Sequence, residues 1–582
     1  MEGDLTKEII EEREKKIIHF LKQKSNWVLY LILALVTFLG IFIRTRNISK
    51  LKDITTGGWT LGPDLDPFLF LRWAKYIVEK GALFAIDTMR SVPLADFCSG
   101  AQCNAINTAM EMRLLPYMMA WFHKFLSIFG LSNDVTYSSI LFPVVMFGLT
   151  TIVFFLFARK IFYKQSKMVK NSIAIISTLF FVLIPSLLPR TIAGIPEKES
   201  AAFLFMFFAF YFFLEAFTSE KLGKGILFGV LAGISTALMA LIWGGFIFIF
   251  YTLSPAFLLA FILGKVKWKE LEIFSTWLLS SVAIMSPFSI RYSIKSLIPS
   301  LGATEIASGV VLFIGISLLL MKNRKLMEIG KKTKLPEEIF CLILSVLILS
   351  VIVFIFLGPN HVWGQIIGVK NSLIEPQVSR FGFTVAENKQ PYFTTDWKES
   401  FGPVVWNIPL FFWLFFIGSI VLFNSMIKEL SKKERIIITF GYFIFLLSLI
   451  FSRYSPDNVL NGTSVLSHLV YFGGVLFFLG CFGYYYIKRY RENNFIVFKE
   501  FNFTYLLYFM ILTLGIIGAR GGIRLIMVLG AVSPVAIAFL IVKTSKRYFS
   551  EKEDTVKFFV GILALVIIIA SVLVAWNYYK SD

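Results

Sequence analysis

WVLYLILALVTFLGIFI, residues 27–43, carries no charged side chain, and neither does SSILFPVVMFGLTTIVFFLFA at 138–158 nor FFVGILALVIIIASVLVAW at 558–576. Each approaches or reaches the roughly 20 apolar residues that cross a bilayer as helix. Such runs recur along all 582 residues, of which 57% are hydrophobic and 16% charged, whereas an average soluble domain has about 25% charged. The first run is too long for a cleaved signal core. It follows EEREKKIIHFLKQK (11–24) and has no small-residue cleavage site after it, so residues 1–26 read as a cytoplasmic segment and 27–582 as a multi-span transmembrane domain.

The formal net charge of +20 does not imply nucleic acid, because the cations sit in short gaps between apolar runs instead of forming a face. Those gaps, 160–170, 264–270, 322–334, 428–435, 487–493 and 543–553, are cytoplasmic under the positive-inside rule. The runs between them give an all-α polytopic protein of about 13–15 transmembrane helices, least certain in number over 224–263 and 436–487. An odd count places the N-terminus inside and the C-terminus outside. Polar segments at 45–113, 188–200 and 359–403 remain outside, the first and last of them large loops. No internal repeat or low-complexity tract interrupts the chain. Cys341 and Cys481 lie in apolar runs as packing residues, and whether Cys98 and Cys103 of the first loop pair is left open.

Each external segment carries acids. In GPDLDPFLFLRWAKYIVEKG (62–81), Asp64 and Asp66 precede Arg72, although Asp66 before Pro67 also suits a helix start. In LLPRTIAGIPEKESAAFLF (187–205), Glu197 and Glu199 follow Arg190 just outside an apolar run. If that stretch is extended, carboxylates at i and i+2 can face one cation; if it is a helix start, they favour its dipole. In SRFGFTVAENKQPYFTTDWKESFG (379–402), Glu387 follows Thr384. Three acidic motifs on one face suit Mg²⁺ or Mn²⁺, which prefer carboxylate oxygens. The four histidines, at 19, 123, 361 and 468, lack metal-ligand spacing, and no P-loop, GxSxG elbow or dinucleotide fingerprint is present.

These motifs, in this order, resemble the catalytic subunit family of oligosaccharyltransferases, of the archaeal AglB type, which are membrane-embedded C-type glycosyltransferases. Asp66, Pro67, Phe68 and Arg72 are similar to the first-loop motif. Arg190, Thr191, Gly194, Glu197 and Glu199 are similar to the paired acidic motif after RT-x-x-G, with Glu197 where Asp is commoner. Thr384, Glu387, Gln390 and Pro391 are similar to the T-x-x-E motif of the fifth external loop, and ARGGIRLIMVLG (519–530) resembles the late-span arginine segment, Arg524 matching better than Arg520. The resemblance covers about 27–580, and the stretch 436–487 adds a pair of spans to the family's usual thirteen.

The resemblance implies transfer of an oligosaccharide from a polyprenyl or dolichyl (di)phosphate carrier to an asparagine amide. Asp66, Glu197, Glu199 and Glu387 would be metal ligands, Asp66 and Glu387 would hold the amide protons, and Arg524, Arg190 and Thr384 would serve substrate binding. The implied partners are lipid-linked oligosaccharide, an acceptor segment with Asn and membrane lipids, in a prokaryotic, archaeal-type cell membrane with the site facing outside. The family's WWDYG sequence is absent from these 582 residues, so sequon reading would fall to a separate subunit or a further segment, or would not occur. The rival readings are another lipid-linked sugar transferase of this membrane class, a non-catalytic carrier-binding paralogue, and a transporter. The T-x-x-E motif counts against the first, and acids in external loops instead of at the midplane count against the last.

Overall fold

The computed structural model describes residues 25–88, 106–292, 303–360, 363–364, 367–368 and 389–581. Thr384, Glu387, Cys98 and Cys103 lie outside the described residues. The chain is an all-helical bundle with two small antiparallel ribbons. Its helices are α1 (Ser25–Thr45), α2 (Asp66–Lys80), α3 (Leu114–Ile128), α4 (Val135–Ile161), α5 (Lys167–Leu183), α6 (Lys198–Phe217), α7 (Leu222–Ala240), α8 (Ile247–Ile262), α9 (Trp268–Phe288), α10 (Ala303–Leu320), α11 (Arg324–Lys332), α12 (Glu337–Leu357), α13 (Leu410–Met426), α14 (Lys432–Phe451), α15 (Val465–Arg491), α16 (Phe503–Gly521), α17 (Ile526–Val532), α18 (Pro534–Ser550) and α19 (Asp554–Ser581).

Among the described residues, 12 helices are long and apolar enough to cross a membrane, or 13 if α10 and α11, bent by 98° to each other, count as one span. The 17-residue α13 is apolar but shorter. Both stretches of uncertain count resolve into helix pairs, α7 with α8 and α14 with α15. The chain is an integral, multi-pass membrane protein.

Bundles in lipid gain little from burying apolar surface against an equally apolar solvent, so close packing and internal hydrogen bonds hold them together. Phe147, Phe154 and Phe181 stack between α4 and α5, with ring centroids 5.5 and 4.3 Å apart, and Phe207 of α6 meets Phe154 edge-on at 5.0 Å. Small residues bring backbones together: a Cβ on Gly418 of α13 would stand 2.4 Å from the Ala536 carbonyl oxygen of α18. Polar side chains are satisfied across helices, as where Trp277 Nε1 donates to Thr236 Oγ1 at 3.0 Å.

The basic gaps gather at one end of the bundle and the acidic segments at the other. At the basic end, Thr504 Oγ1 donates to the Ile161 carbonyl and Tyr486 Oη to the Ile262 carbonyl. At the acidic end, the sequence closes the first loop at 113, but the structure carries it on to Asp134. Helix α3 has 15 residues, a rise of about 22 Å that falls short of a bilayer core. Both its ends lie on the acidic side: the Leu114 amide donates to Leu241 at the end of α7, and His123 Nδ1 lies 2.9 Å from Ser138 Oγ in the first turns of α4. One face of α3 buries Leu115, Met119 and Leu126, while Trp121, Phe125 and Ile128 stay exposed.

The first loop and the 184–197 segment are pinned together at two glycines. The Gly62 amide donates to the Gly194 carbonyl at 2.9 Å, and the Gly194 amide donates to Ile140 at 3.0 Å. Gly194 has φ +84, and a Cβ there would lie 2.5 Å from Leu51 Cδ1. Beneath them the fully buried Arg44 donates from Nε to Thr191 Oγ1 at 2.7 Å and from Nη1 to the Val182 carbonyl at 3.0 Å, its guanidinium 3.4 Å above the Phe147 ring. Left-handed backbone at a residue with a side chain costs about 1–2 kcal/mol, to which the Leu51 clash adds. Gly194→Ala is therefore expected to lower the unfolding temperature of the purified protein, and Leu51→Ala is expected to restore part of the loss. An unchanged melting curve for Gly194→Ala would rule out the pinning role.

Candidate functional site

Helix α6 starts where the apolar run begins, and its start fixes both glutamates. Glu197 is the N-cap, its carboxylate accepting from the Lys198 amide at 3.3 Å, and Glu199 lies inside the first turn. The stretch is thus not extended through both residues, and the pair does not simply face one point. The two carboxylates reach different arginines. Glu197 Oε1 accepts from Arg190 Nη1 at 3.0 Å, and Glu199 Oε1 accepts from Arg524 Nη2 at 2.5 Å and Nε at 3.1 Å. Glu199 is fully buried and Glu197 1% exposed, so each charge has left water and needs a partner. The second Glu199 oxygen, Oε2, is buried with no hydrogen-bond partner among the described residues.

Helix α2 brings the first-loop acids to the same place. Asp64 Oδ2 accepts from Arg190 Nη1 at 3.3 Å, so one guanidinium joins the two loops. Asp66 is the first residue of α2, exposed, with Pro67 in the first turn. The helix has no side-chain cap, because Leu65 holds the N-cap position; Asp66 begins α2 without capping it. Burial pushes the Glu197 carboxyl up to about 7; Glu199, Asp64 and Asp66 push the same way and Arg190 opposes them. Four carboxylates therefore share one electrostatic neighbourhood.

Arg72, the other charged residue of the first motif, points elsewhere. It grips Asp87 at 2.5 and 2.7 Å, and Trp73 Nε1 donates to the same carboxylate at 2.7 Å. Asp87 is 1% exposed and belongs to the Ile86–Asp87 strand paired with Ile106–Asn107, so Arg72 fastens the first loop onto α2. Its partner lies 15 positions downstream, with no motif to mark it.

The third loop re-enters at Lys389, whose carbonyl accepts from the Ile523 amide at 2.9 Å, beside Arg524. Arg453 donates to the Gln390 carbonyl at 3.3 Å and lies 4.2 Å over the Tyr392 ring. Arg524 and Arg520 separate clearly. Arg524 reaches the acid cluster, whereas Arg520, 9% exposed, stacks on Tyr471 at 4.4 Å and donates to Ser452 Oγ at 3.4 Å. Among the described residues no group of three or more His, Cys, Asp or Glu side chains could hold a metal ion.

Comparison with known proteins gives this geometry a family. The model for oligosaccharyl transferase STT3, N-terminal, matches residues 63–452. The STT3 subunit of the dolichyl-diphosphooligosaccharide–protein glycosyltransferase of Saccharomyces cerevisiae is 24% identical over 252 residues, covering 42% of this chain and 32% of the yeast protein. Among solved structures, Archaeoglobus fulgidus AglB in complex with an inhibitory peptide and a dolichol-phosphate matches with a TM-score of 0.59 and 14% identity, over 96% of this chain and 56% of that one. The apo form of the A. fulgidus oligosaccharyltransferase matches with a TM-score of 0.61 and 14% identity, over 95% and 55%. The chain spans about half the length of these solved relatives and a third of the yeast one. The solved structures show the shared fold, and the family match, which takes in both acidic loops and extends to the end of α14, shows the lineage: this chain belongs to the STT3 family of oligosaccharyl transferases.

Proposed function

We propose that this chain transfers an oligosaccharide from a polyprenyl or dolichyl (di)phosphate carrier to the side-chain amide of asparagine in acceptor proteins, on the outer face of a prokaryotic, archaeal-type membrane. The observation that supports this most is the burial of Glu197 and Glu199 beside Asp64 and Asp66, with Arg524 and the re-entering third loop at the same place. AglB has been solved with an inhibitory peptide and a dolichol-phosphate, and the A. fulgidus enzyme has been solved tethered to an acceptor peptide carrying the NVT sequon.

The donor types would suit a hard divalent cation. The donors are carboxylates, Glu199 Oε2 is a buried acceptor without a partner among the described residues, and burial with acidic neighbours pushes the Glu197 carboxyl up to about 7 against the opposing Arg190. Asp66, Glu197 and Glu199 would hold Mg²⁺ or Mn²⁺ together with Glu387, which follows Thr384 in the loop upstream of Lys389. The cation would offset the negative charge gathered by the leaving phosphate.

An amide nitrogen is a poor nucleophile because its lone pair is delocalised into the carbonyl. Asp66 and Glu387 would accept hydrogen bonds from the two amide protons, drawing the nitrogen out of conjugation as it attacks the anomeric carbon. The C–O bond to phosphate breaks as the C–N bond forms, with inversion and no covalent enzyme intermediate. Arg524 would supply a fixed positive charge to the phosphate, a preorganised contact of the kind worth about 10²–10³ in rate.

Two outcomes follow. Purified protein is expected to transfer labelled glycan from a lipid-linked pool to an Asn-x-Thr peptide, with a WWDYG-bearing domain supplied in trans in one arm. Glu387→Ala or a chelator should reduce that transfer by about 100-fold or more. Transfer that survives both would refute the assignment. Separately, Arg524→Leu strands the buried Glu199 carboxylate and is expected to destabilise the fold by about 3–5 kcal/mol. Mn²⁺ should raise the unfolding temperature of that variant more than it raises the wild type. Equal shifts would remove Glu199 from the cation site.

A further inference from the structure

At the end of the bundle opposite the carboxylates, α5, α13, α14, α16 and α18 line a cavity of about 550 Å³. Five cations from three of the basic gaps converge on it: Lys164, Lys428, Arg435, Lys543 and Lys546. Two acids, Glu429 and Glu500, face them, and Glu429 is already engaged by Lys428 at 3.4 Å. The basic residues of a loop normally spread into water, where mutual repulsion is small. Here they line a single concave surface.

Arg435 is the telling residue. Its Nε is buried and has no hydrogen-bond partner among the described residues. The acid next to it in sequence, Glu434, is held by Arg489 at 2.6 and 3.1 Å, so it does not serve Arg435. A buried guanidinium N–H left unpaired is unfavourable, and an anion in the cavity would satisfy it. Lys543 donates to Ser425 at the wall, which fixes a second cation toward the same space. The lining also includes the buried apolar side chains of Ile173, Met426 and Phe539. Cations together with buried apolar side chains match a group that is anionic at one end and hydrocarbon at the other.

We propose that this cavity binds the phosphate of an anionic lipid headgroup from the leaflet at the basic end, with Arg435 and Lys543 as its principal contacts. Basic pockets between transmembrane helices on that side are suited to such headgroups. The site is separate from the acid cluster and does not depend on the glycosyl-transfer reading.

The test uses the full chain in detergent, with phosphatidylglycerol or phosphatidylcholine added and retained lipid counted by native mass spectrometry. Wild type is expected to retain phosphatidylglycerol over phosphatidylcholine, and Arg435→Gln with Lys543→Gln is expected to lower that retention by about thirtyfold, near 1 kcal/mol per cation. Arg435→Lys should keep most of it. Lys546→Glu, at an exposed rim position, should also lower it and guards against a variant that fails to fold. Lys322→Gln with Lys325→Gln, in a different basic gap, should change nothing. Displacement of the lipid by millimolar inorganic phosphate would assign the same site to a free anion. Equal retention by wild type, the double glutamine variant and Lys546→Glu would mean only general attraction to basic loops and would overturn the proposal.

Discussion

A carboxylate taken out of water beside a hydrocarbon boundary must find a positive partner, and the acidic end of this bundle is arranged around that requirement. Glu199 is fully buried and meets Arg524, which lies 325 positions away in the chain. Glu197 meets Arg190, and Arg190 also meets Asp64. Through these two arginines the first loop, the 184–197 segment and the start of α17 become one unit, because none of the charges is stable alone. The glycine juncture and the buried Arg44 set the backbone close enough for the pairing to occur.

The membrane class and the order of the acidic motifs were legible in the sequence because both depend on short, contiguous patterns: apolar runs, basic gaps, and D-P, E-x-E and T-x-x-E spacings. The partners of those acids were not legible. Nothing near Glu199 names Arg524, and nothing near Arg72 names Asp87, since each pairing is set by how distant helices pack. The late arginine segment was recognisable, but the choice between Arg520 and Arg524 rested on resemblance until the structure put one on Glu199 and the other on Tyr471. The helical start at Lys198 was also ambiguous, because a proline and two glutamates before an apolar run fit either an extended approach or a first turn. Helix α3 escaped for the opposite reason: its length and apolarity read as part of a span, and only its contacts show both ends on one side.

The two ends of the bundle handle charge differently. At one, acids are buried and matched to arginines; at the other, cations outnumber acids around a cavity. Unsatisfied polar atoms are rare in folded proteins, and among the described residues they include the acceptor Glu199 Oε2 at the acidic end and the donor Arg435 Nε at the basic end. Each marks a place where the fold has withheld an internal partner.

Helix α3 sets a mechanical reference for the acidic end. Trp121, Phe125 and Ile128 form an exposed row along a helix too short to span, which suits the headgroup layer where amphipathic helices settle. Helix α2, which begins at Asp66, packs directly on it. The acid cluster is therefore registered to the lipid surface as well as to the bundle beneath it.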